Sequence, residues 1–161
     1  MLLKIENLDV FIGSTQILRN VSVAVKEGEI VCLVGRNGAG KSSIIKSTIG
    51  LYPSRSGKIL FKKKDITSFS PRKKVLSGIG YSPEDTRIFT ELTVEENIRL
   101  STWVTEKGNK GEGFSFEKIF NIFPAIKKFL DRKRLNLSGG EKKRAACCGP
   151  SAWKNPRNLS G

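Results

Sequence analysis

Between residues 30 and 42 the apolar run Ile30-Val31-Cys32-Leu33-Val34 meets Gly35-Arg36-Asn37-Gly38-Ala39-Gly40-Lys41-Ser42, a complete G-x-x-x-x-G-K-[ST] phosphate loop. The motif works only between the end of a strand and the start of a helix, so it constrains the fold more than any other stretch. The pattern predicts an apolar strand over 30–34, a glycine turn, and a helix that begins near Lys41, passes through Ser43 and ends at Gly50. Unpaired backbone N–H groups along Gly35 to Ser43 would converge into an anion cradle. Lys41 would bring a point charge to the β- and γ-phosphates, and the Ser42 hydroxyl is the expected Mg²⁺ ligand. Gly38 and Gly40 would let backbone approach phosphate with no Cβ in the way. The expected ligand is a nucleoside triphosphate with Mg²⁺; the plainer alternative is a glycine turn that merely joins strand to helix.

A chain of 161 residues is long enough for one domain with a hydrophobic core and too short for two ordinary ones. Its 29 Lys and Arg against 15 Asp and Glu give a formal charge of +14, which raises nucleic acid or an anionic membrane surface as partners. The excess is spread over Lys62-Lys63-Lys64, Arg72-Lys73-Lys74 and the span from Lys127 to Arg144. Few aromatic residues interleave with it, so a solvated face is the expectation and nucleic acid is not the expected partner. Cys32, Cys147 and Cys148 follow neither a metal-ligand nor a disulfide spacing, which suits a reducing cytosol. The longest apolar runs fall short of a bilayer span and no basic leader is seen, so membrane association is expected through a partner.

Along the chain, Leu2 to Val10 and Val21 to Val25 alternate as strands of a small antiparallel layer, with Lys26-Glu27-Gly28 as the turn into the phosphate-loop strand. A turn is predicted at Pro53 to Gly57, a strand from Lys58 to Ile66, a short helix from Ser70-Pro71 to Leu76, and a short strand at Ile79 to Ser82. Thr93-Val94-Glu95-Glu96 has the form of a capping box for a helix to about Trp103. Glycine and charge from Thr105 to Gly113 predict a loop. Phe116, Ile119, Phe120 and Phe123 then form a stripe at helical spacing, read as core. Pro124 interrupts it before a helical segment to about Leu130.

The phosphate loop, followed about a hundred residues later by Leu137-Ser138-Gly139-Gly140-Glu141, resembles the nucleotide-binding subunits of ABC transporters. The string from Gly78 to Phe89, and Leu92-Thr93-Val94-Glu95-Glu96-Asn97 after it, are most similar to the subgroup serving branched-chain and other hydrophobic amino-acid importers. That subgroup commonly has Pro-Glu where most of the superfamily has glutamine, here Pro83-Glu84. The resemblance implies an α/β fold: a P-loop NTPase core of RecA-like type, an antiparallel β layer, and an α-helical subdomain over about 86–137 that touches membrane subunits. It implies ATP and Mg²⁺ as ligands, with Glu84 beside the phosphates. Ser138, Gly139, Gly140 and Glu141 would lie at a helix N-terminus that meets the γ-phosphate held by a second ATP-binding subunit; Ser138 as a simple helix cap is compatible with this. Transmembrane permease subunits would be the other partners, with the chain cytoplasmic and peripheral on the inner face of the cell membrane.

Two departures from the family pattern bear on function. Where the family has an aromatic residue under adenine this chain has Ile12, with Phe11 beside it. After the signature the family continues to an apolar strand ending in Asp-Glu and then a histidine, whereas this chain has no histidine and its last acid is Glu141. The resemblance thus covers residues 1–144 as an incomplete nucleotide-binding domain, truncated before the strand that carries the catalytic carboxylates. No catalytic residue is assigned, and ATP binding without hydrolysis is expected. Residues 145–161 read as a divergent tail with the look of a shifted reading frame, because Cys147-Cys148-Gly149-Pro150 places glycine and proline where a helix should propagate. The rival readings are an ATP-binding subunit for another substrate, a soluble nucleic-acid-associated ABC ATPase, and a non-functional gene fragment.

Overall fold

A computed structural model describes residues 1–83, 89–106, 116–133 and 136–151. The chain divides into two compact units, Met1–Ile79 and Gly80–Gly161. Among the described residues no helix is long and apolar enough to cross a membrane.

The first unit is built on one antiparallel sheet. Strands β1 (Leu3–Ile12), β2 (Thr15–Val25), β3 (Ser54–Phe61) and β4 (Lys64–Asp65) lie in the order β2-β1-β3-β4. The expected antiparallel layer is therefore present. Simple alternation would bury every second residue of β1, but the buried set is Ile5, Leu8 and Val10. The phase changes because the pairing with β2 shifts between Ile5 and Leu8, at Asn7, whose φ is +49°. An extra residue at that bulge returns Leu8 to the apolar face. Ile5, Leu8, Val10, Leu18, Ile59, Phe61 and Ile66 form the core of this unit.

Asp9 fastens the bulged region across three strands. Its Oδ1 accepts from the Asn20 N–H at 2.8 Å and from Gln16 Nε2 at 3.1 Å, and its Oδ2 accepts from the Ser56 hydroxyl at 2.6 Å. Gly57 permits the close approach of β3 to the bulge. Its φ is +87°, and a Cβ there would lie 2.5 Å from the carbonyl oxygens of both Glu6 and Asn7.

Helix α1 (Lys41–Thr48) follows the phosphate loop and ends where the sequence predicts. Gly50, at φ +83°, donates to the Ser47 carbonyl at 3.0 Å and Leu51 donates to the Lys46 carbonyl at 2.8 Å, which closes the helix with a Schellman motif. Helix α2 (Pro71–Leu76) starts at Ser70, whose hydroxyl accepts from the Lys73 N–H, with Pro71 in the first turn.

Several expectations are corrected. Residues 30–34 form no strand: Ile30 is 97% exposed, Val34 is 89% exposed, and Cys32 is exposed instead of buried. Ile79 to Ser82 is likewise not a strand. Strands exist only as ladders, and among the described residues no segment pairs with either stretch, so apolar composition alone does not make them strands. The turn predicted at Pro53 to Gly57 is mostly strand, because β3 already pairs with β1 from Ser54. The strand predicted from Lys58 to Ile66 instead ends at Phe61 and reverses through Lys62-Lys63 into β4. Lys74, expected on a solvated face, is 1% exposed and reaches the Ser47 carbonyl at 3.4 Å. A cation at the C-terminal end of α1 complements the carbonyls left open there.

The second unit is helical among its described residues: α3 (Val94–Glu106), α4 (Phe116–Ile122), a 3₁₀ segment (Pro124–Phe129) and α5 (Gly139–Ser151). The capping box at Thr93 is formed. Glu96 N–H donates to the Thr93 hydroxyl at 3.2 Å and Thr93 N–H donates to Glu96 Oε2 at 2.8 Å. The aromatic stripe is core as expected, with Ile119 fully buried and Phe116, Phe120 and Phe123 packed on a cluster that includes Val94, Ile98, Ile126, Phe129, Leu137, Ala145 and Cys148. Helix α3 outruns its predicted end at Trp103 by three residues, into part of the expected loop, whose remainder lies outside the described residues. The segment after Pro124 is 3₁₀ and not α, and α5 continues across Gly149-Pro150 to Ser151. Pro150 stands one residue from that end, where its missing N–H affects only the last turn. Burial pushes the Cys148 thiol up to about 12, so it behaves as a small apolar side chain.

Two predictions follow from the first unit. Gly57→Ala is expected to destabilise it by about 3 kcal/mol, against about 1 kcal/mol for Gly78→Ala, since both positions have positive φ but only Gly57 lacks room; thermal melts of the two variants side by side check this. The hydrogen bond from Ser56, and then that from Asn20, hold the Asp9 carboxyl below its ordinary value of 3.8. A lowered folded value means that Asp9 contributes its full stabilisation above the unfolded value and loses it as pH falls through the folded one. Asp9→Asn should therefore melt lower than wild type at neutral pH and lose less stability between pH about 5 and pH about 2. Parallel slopes for the two proteins over that range would contradict this account of the clamp.

Candidate nucleotide site

The glycines of the phosphate loop have the backbone conformation that the motif requires, although residues 30–34 before it form no strand. Gly38 and Gly40 have φ of +83° and +84°, in the left-handed region that side chains disfavour. At Gly40 there is also no space, since a Cβ would lie 2.9 Å from Leu18 Cδ2 and 3.5 Å from the Ile17 carbonyl oxygen. Strand β2 thus forms a wall against which the loop rests. Ala39 N–H donates to the Arg36 carbonyl at 3.2 Å and tightens the turn before the helix.

Gly40 is the N-cap residue of α1 and, lacking a side chain, provides no capping hydrogen bond. The N–H groups of the first turn, from Lys41, Ser42 and Ser43, have no acceptor within the helix. Such unpaired N–H groups, at the positive end of a helix dipole, are the chemistry that favours an anion. Lys41 Nζ lies 2.7 Å from the carbonyl oxygens of both Gly35 and Arg36, so the ammonium is held over the start of the loop. Gly35, Arg36, Asn37, Gly38, Ala39 and Ser42 are exposed, and Gly40, Lys41 and Ser43 are half-buried. A turn that needs glycine at Gly38 and Gly40, an uncapped helix end, a lysine and an exposed hydroxyl fit a triphosphate with Mg²⁺. Among the described residues no cluster of three or more His, Cys, Asp or Glu could hold a metal ion.

Of the two residues considered for the base, Phe11 is half-buried and the Arg55 guanidinium lies 4.8 Å from its ring centroid. Ile12 is 46% exposed at the end of β1. Glu84 lies outside the described residues.

In the second unit, Ser138, Gly139, Gly140 and Glu141 open helix α5. Ser138 is a helix cap: Glu141 N–H donates to its hydroxyl at 3.4 Å, and its own N–H donates to Glu141 Oε2 at 2.7 Å. The bond from the Ser138 N–H, and then the Ser138 side chain, hold the Glu141 carboxyl below the usual range, with Arg132 and Arg144 adding to the effect. Ser138, Gly139 and Gly140 are exposed, and a Cβ on either glycine would meet nothing within 4 Å. A bulky group can therefore approach this helix start.

Sequence reasoning missed the Leu18 and Ile17 wall and the Arg55 cover on Phe11. Both arise from pairing within the antiparallel sheet, and no local motif signals them.

A family profile described as ABC transporter matches residues 18–155. The chain is 32% identical over 158 residues to the high-affinity branched-chain amino acid transport ATP-binding protein BraG of Pseudomonas aeruginosa, covering 98% of this chain and 66% of that protein. It is 35% identical over 130 residues to the probable branched-chain amino acid transport ATP-binding protein LivF of Archaeoglobus fulgidus, covering 81% and 54%. A structure described as the ATP binding subunit of an ABC transporter superposes with a TM-score of 0.77 at 27% identity, over 97% of this chain and 64% of that one. The ADP conformation of MJ1267, an ATP-binding cassette, gives 0.74 at 29% identity, over 94% and 64%. The chain therefore spans about two thirds or less of the length of these relatives. With the phosphate loop and the capped signature helix both formed, this protein belongs to the ABC transporter family as an ATP-binding domain of P-loop NTPase fold.

Proposed function

We propose that this chain binds Mg-ATP for an importer of branched-chain or similar hydrophobic amino acids. The observation that carries the nucleotide reading is the uncapped start of α1 behind Gly38 and Gly40, with the Lys41 ammonium held over it. The substrate reading rests on similarity to two relatives named for branched-chain amino acid transport and on the Pro83-Glu84 pair. Residues 1–144 are the nucleotide-binding domain in this reading, with about 86–137 as the helical subdomain. Gly35 to Ser43 hold the phosphates of one nucleotide, with Ser42 on Mg²⁺ and Glu84 nearby, and Ile12 or Phe11 lies against the base. Ser138, Gly139, Gly140 and Glu141 meet the terminal phosphate of a nucleotide on a second ATP-binding subunit. Permease subunits place the chain on the inner face of the membrane. Sulfate/thiosulfate import is the named role of another relative, CysA of Mannheimia succiniciproducens, at 30% identity, so a different cargo is the closest rival.

In ATP-driven transport the bound nucleotide supplies the free energy of hydrolysis. What this chain contributes is charge and orientation: backbone N–H groups and Lys41 neutralise phosphate oxygens, and Ser138 with Gly139 and Gly140 offers further donors. A carboxylate positioned to orient attacking water is also required for phosphoryl transfer, and no acid follows Glu141 in the sequence.

Lys41→Ala is expected to weaken Mg-ATP binding by about ten- to a hundredfold, the worth of a charge-assisted hydrogen bond, in isothermal titration. Unchanged affinity would remove the phosphate loop from the site. A purified chain of this sequence is expected to bind ATP with negligible turnover in a phosphate-release assay. Turnover matching that of a longer relative, and abolished by Lys41→Ala, would show that another carboxylate does this work, with Glu84 the first to substitute.

A further inference from the structure

The fold gathers basic residues that look dispersed in the sequence. Between Arg55 and Lys74 the sole acid is Asp65, and its Oδ1 already accepts from the Thr67 hydroxyl at 2.6 Å. Lys62 and Lys63 form the two-residue turn from β3 into β4, where Phe61 pairs with Lys64, and all three lysines are exposed. Helix α2 brings Lys73 to the same place, since the Nζ atoms of Lys64 and Lys73 lie 5.2 and 5.8 Å from the centroid of the Phe69 ring. Among the described residues no ion pair neutralises Lys62, Lys63, Lys64 or Lys73.

The backbone of the turn gives an independent indication. Lys62 and Lys63 have φ of +50° and +66°, the conformation of a type I′ hairpin turn, which Asn-Gly fits and lysine does not. A disfavoured residue in both central positions, at an exposed tip, points to a use for its charge. We propose that the β3–β4 tip and Lys73 of α2 form a surface that adsorbs to anionic phospholipid headgroups, by charge alone and without insertion. Lipid is favoured over nucleic acid because the rings within the patch are already engaged: Lys62 Nζ lies 5.6 Å from the Phe61 centroid, and Phe69 carries two ammonium groups. Base stacking needs a free ring face, whereas a plane of anionic headgroups requires only charge. The choice also rests on the membrane-face location in the proposed function, and it adds a direct lipid contact to the association expected through a partner.

The test is co-sedimentation of the full chain with phosphatidylcholine vesicles with and without phosphatidylglycerol, at rising salt. Wild type should bind the anionic vesicles more tightly and release them as salt rises. The double variant Lys62→Asn/Lys63→Gly should bind them about five- to thirtyfold more weakly while melting at the same or a higher temperature, because it relieves the turn. A loss of binding with a stable fold is an outcome that general destabilisation cannot produce. Equal binding to neutral and anionic vesicles, unchanged binding by the double variant, or tighter lysine-dependent binding to duplex DNA would each overturn the proposal. Mg-ATP affinity measured on the same two proteins keeps the readings apart: lysine-dependent vesicle binding by a chain that binds no Mg-ATP would sink the nucleotide reading and leave the lipid surface standing.

Discussion

The phosphate loop depends on one contact that allows no side chain. Gly40 turns through the left-handed region with Leu18 Cδ2 2.9 Å from where its Cβ would be, so the start of α1 is set by the antiparallel layer and not by the loop alone. The far end of the helix is fixed as well, by the Schellman motif at Gly50 and by Lys74 on the Ser47 carbonyl. A short helix anchored at its end and braced at its start presents its unpaired N–H groups with little freedom, and such preorganisation is what anion binding by backbone requires.

That antiparallel layer depends in turn on a polar device. A bulge in β1 would leave backbone groups without partners, and the Asp9 carboxylate collects donors from β1's two neighbours while Gly57 lets β3 pass close to Asn7. The bulge puts Leu8 and Val10 into the core, and β2 can then offer Leu18 from the same core to the phosphate loop. Lys74 shows the opposite balance. Burial lowers its tendency to hold a proton, Asp65 partly restores it, and the Ser47 hydroxyl beside it is buried with no hydrogen-bond partner among the described residues.

The second unit repeats one local solution. Thr93 with Glu96, and Ser138 with Glu141, are both capping boxes, and each serine or threonine hydroxyl accepts an N–H while the glutamate returns the bond. At Thr93 the box starts a helix whose Val94 and Ile98 are core. At Ser138 the same geometry is flanked by two exposed glycines with open space where a Cβ would be. Identical local chemistry thus carries two outcomes, and the difference lies in what stands next to it.

The sequence by itself determined the features whose causes are local. The glycine turn of the phosphate loop, the helix stop at Gly50, the Ser70-Pro71 helix start, the capping box at Thr93, the cap at Ser138 and the aromatic stripe over 116–123 all rest on interactions within a few residues, and each was legible. The family was legible for the same reason, since its motifs are short and ordered. Tertiary structure decided what requires a partner distant in the chain. Ile30 to Val34 has a strand's composition but no ladder beside it among the described residues, so it forms no strand and leaves Ile30 and Val34 exposed. Lys74 reads as a surface charge and is buried, because α2 packs it against the end of α1. Lys64 and Lys73 stand apart in the sequence and meet in the fold, because a two-residue turn and a helix place them around the Phe69 ring. Periodicity reports which residues prefer to be buried; only the pairing of strands and the docking of helices fixes which of them are.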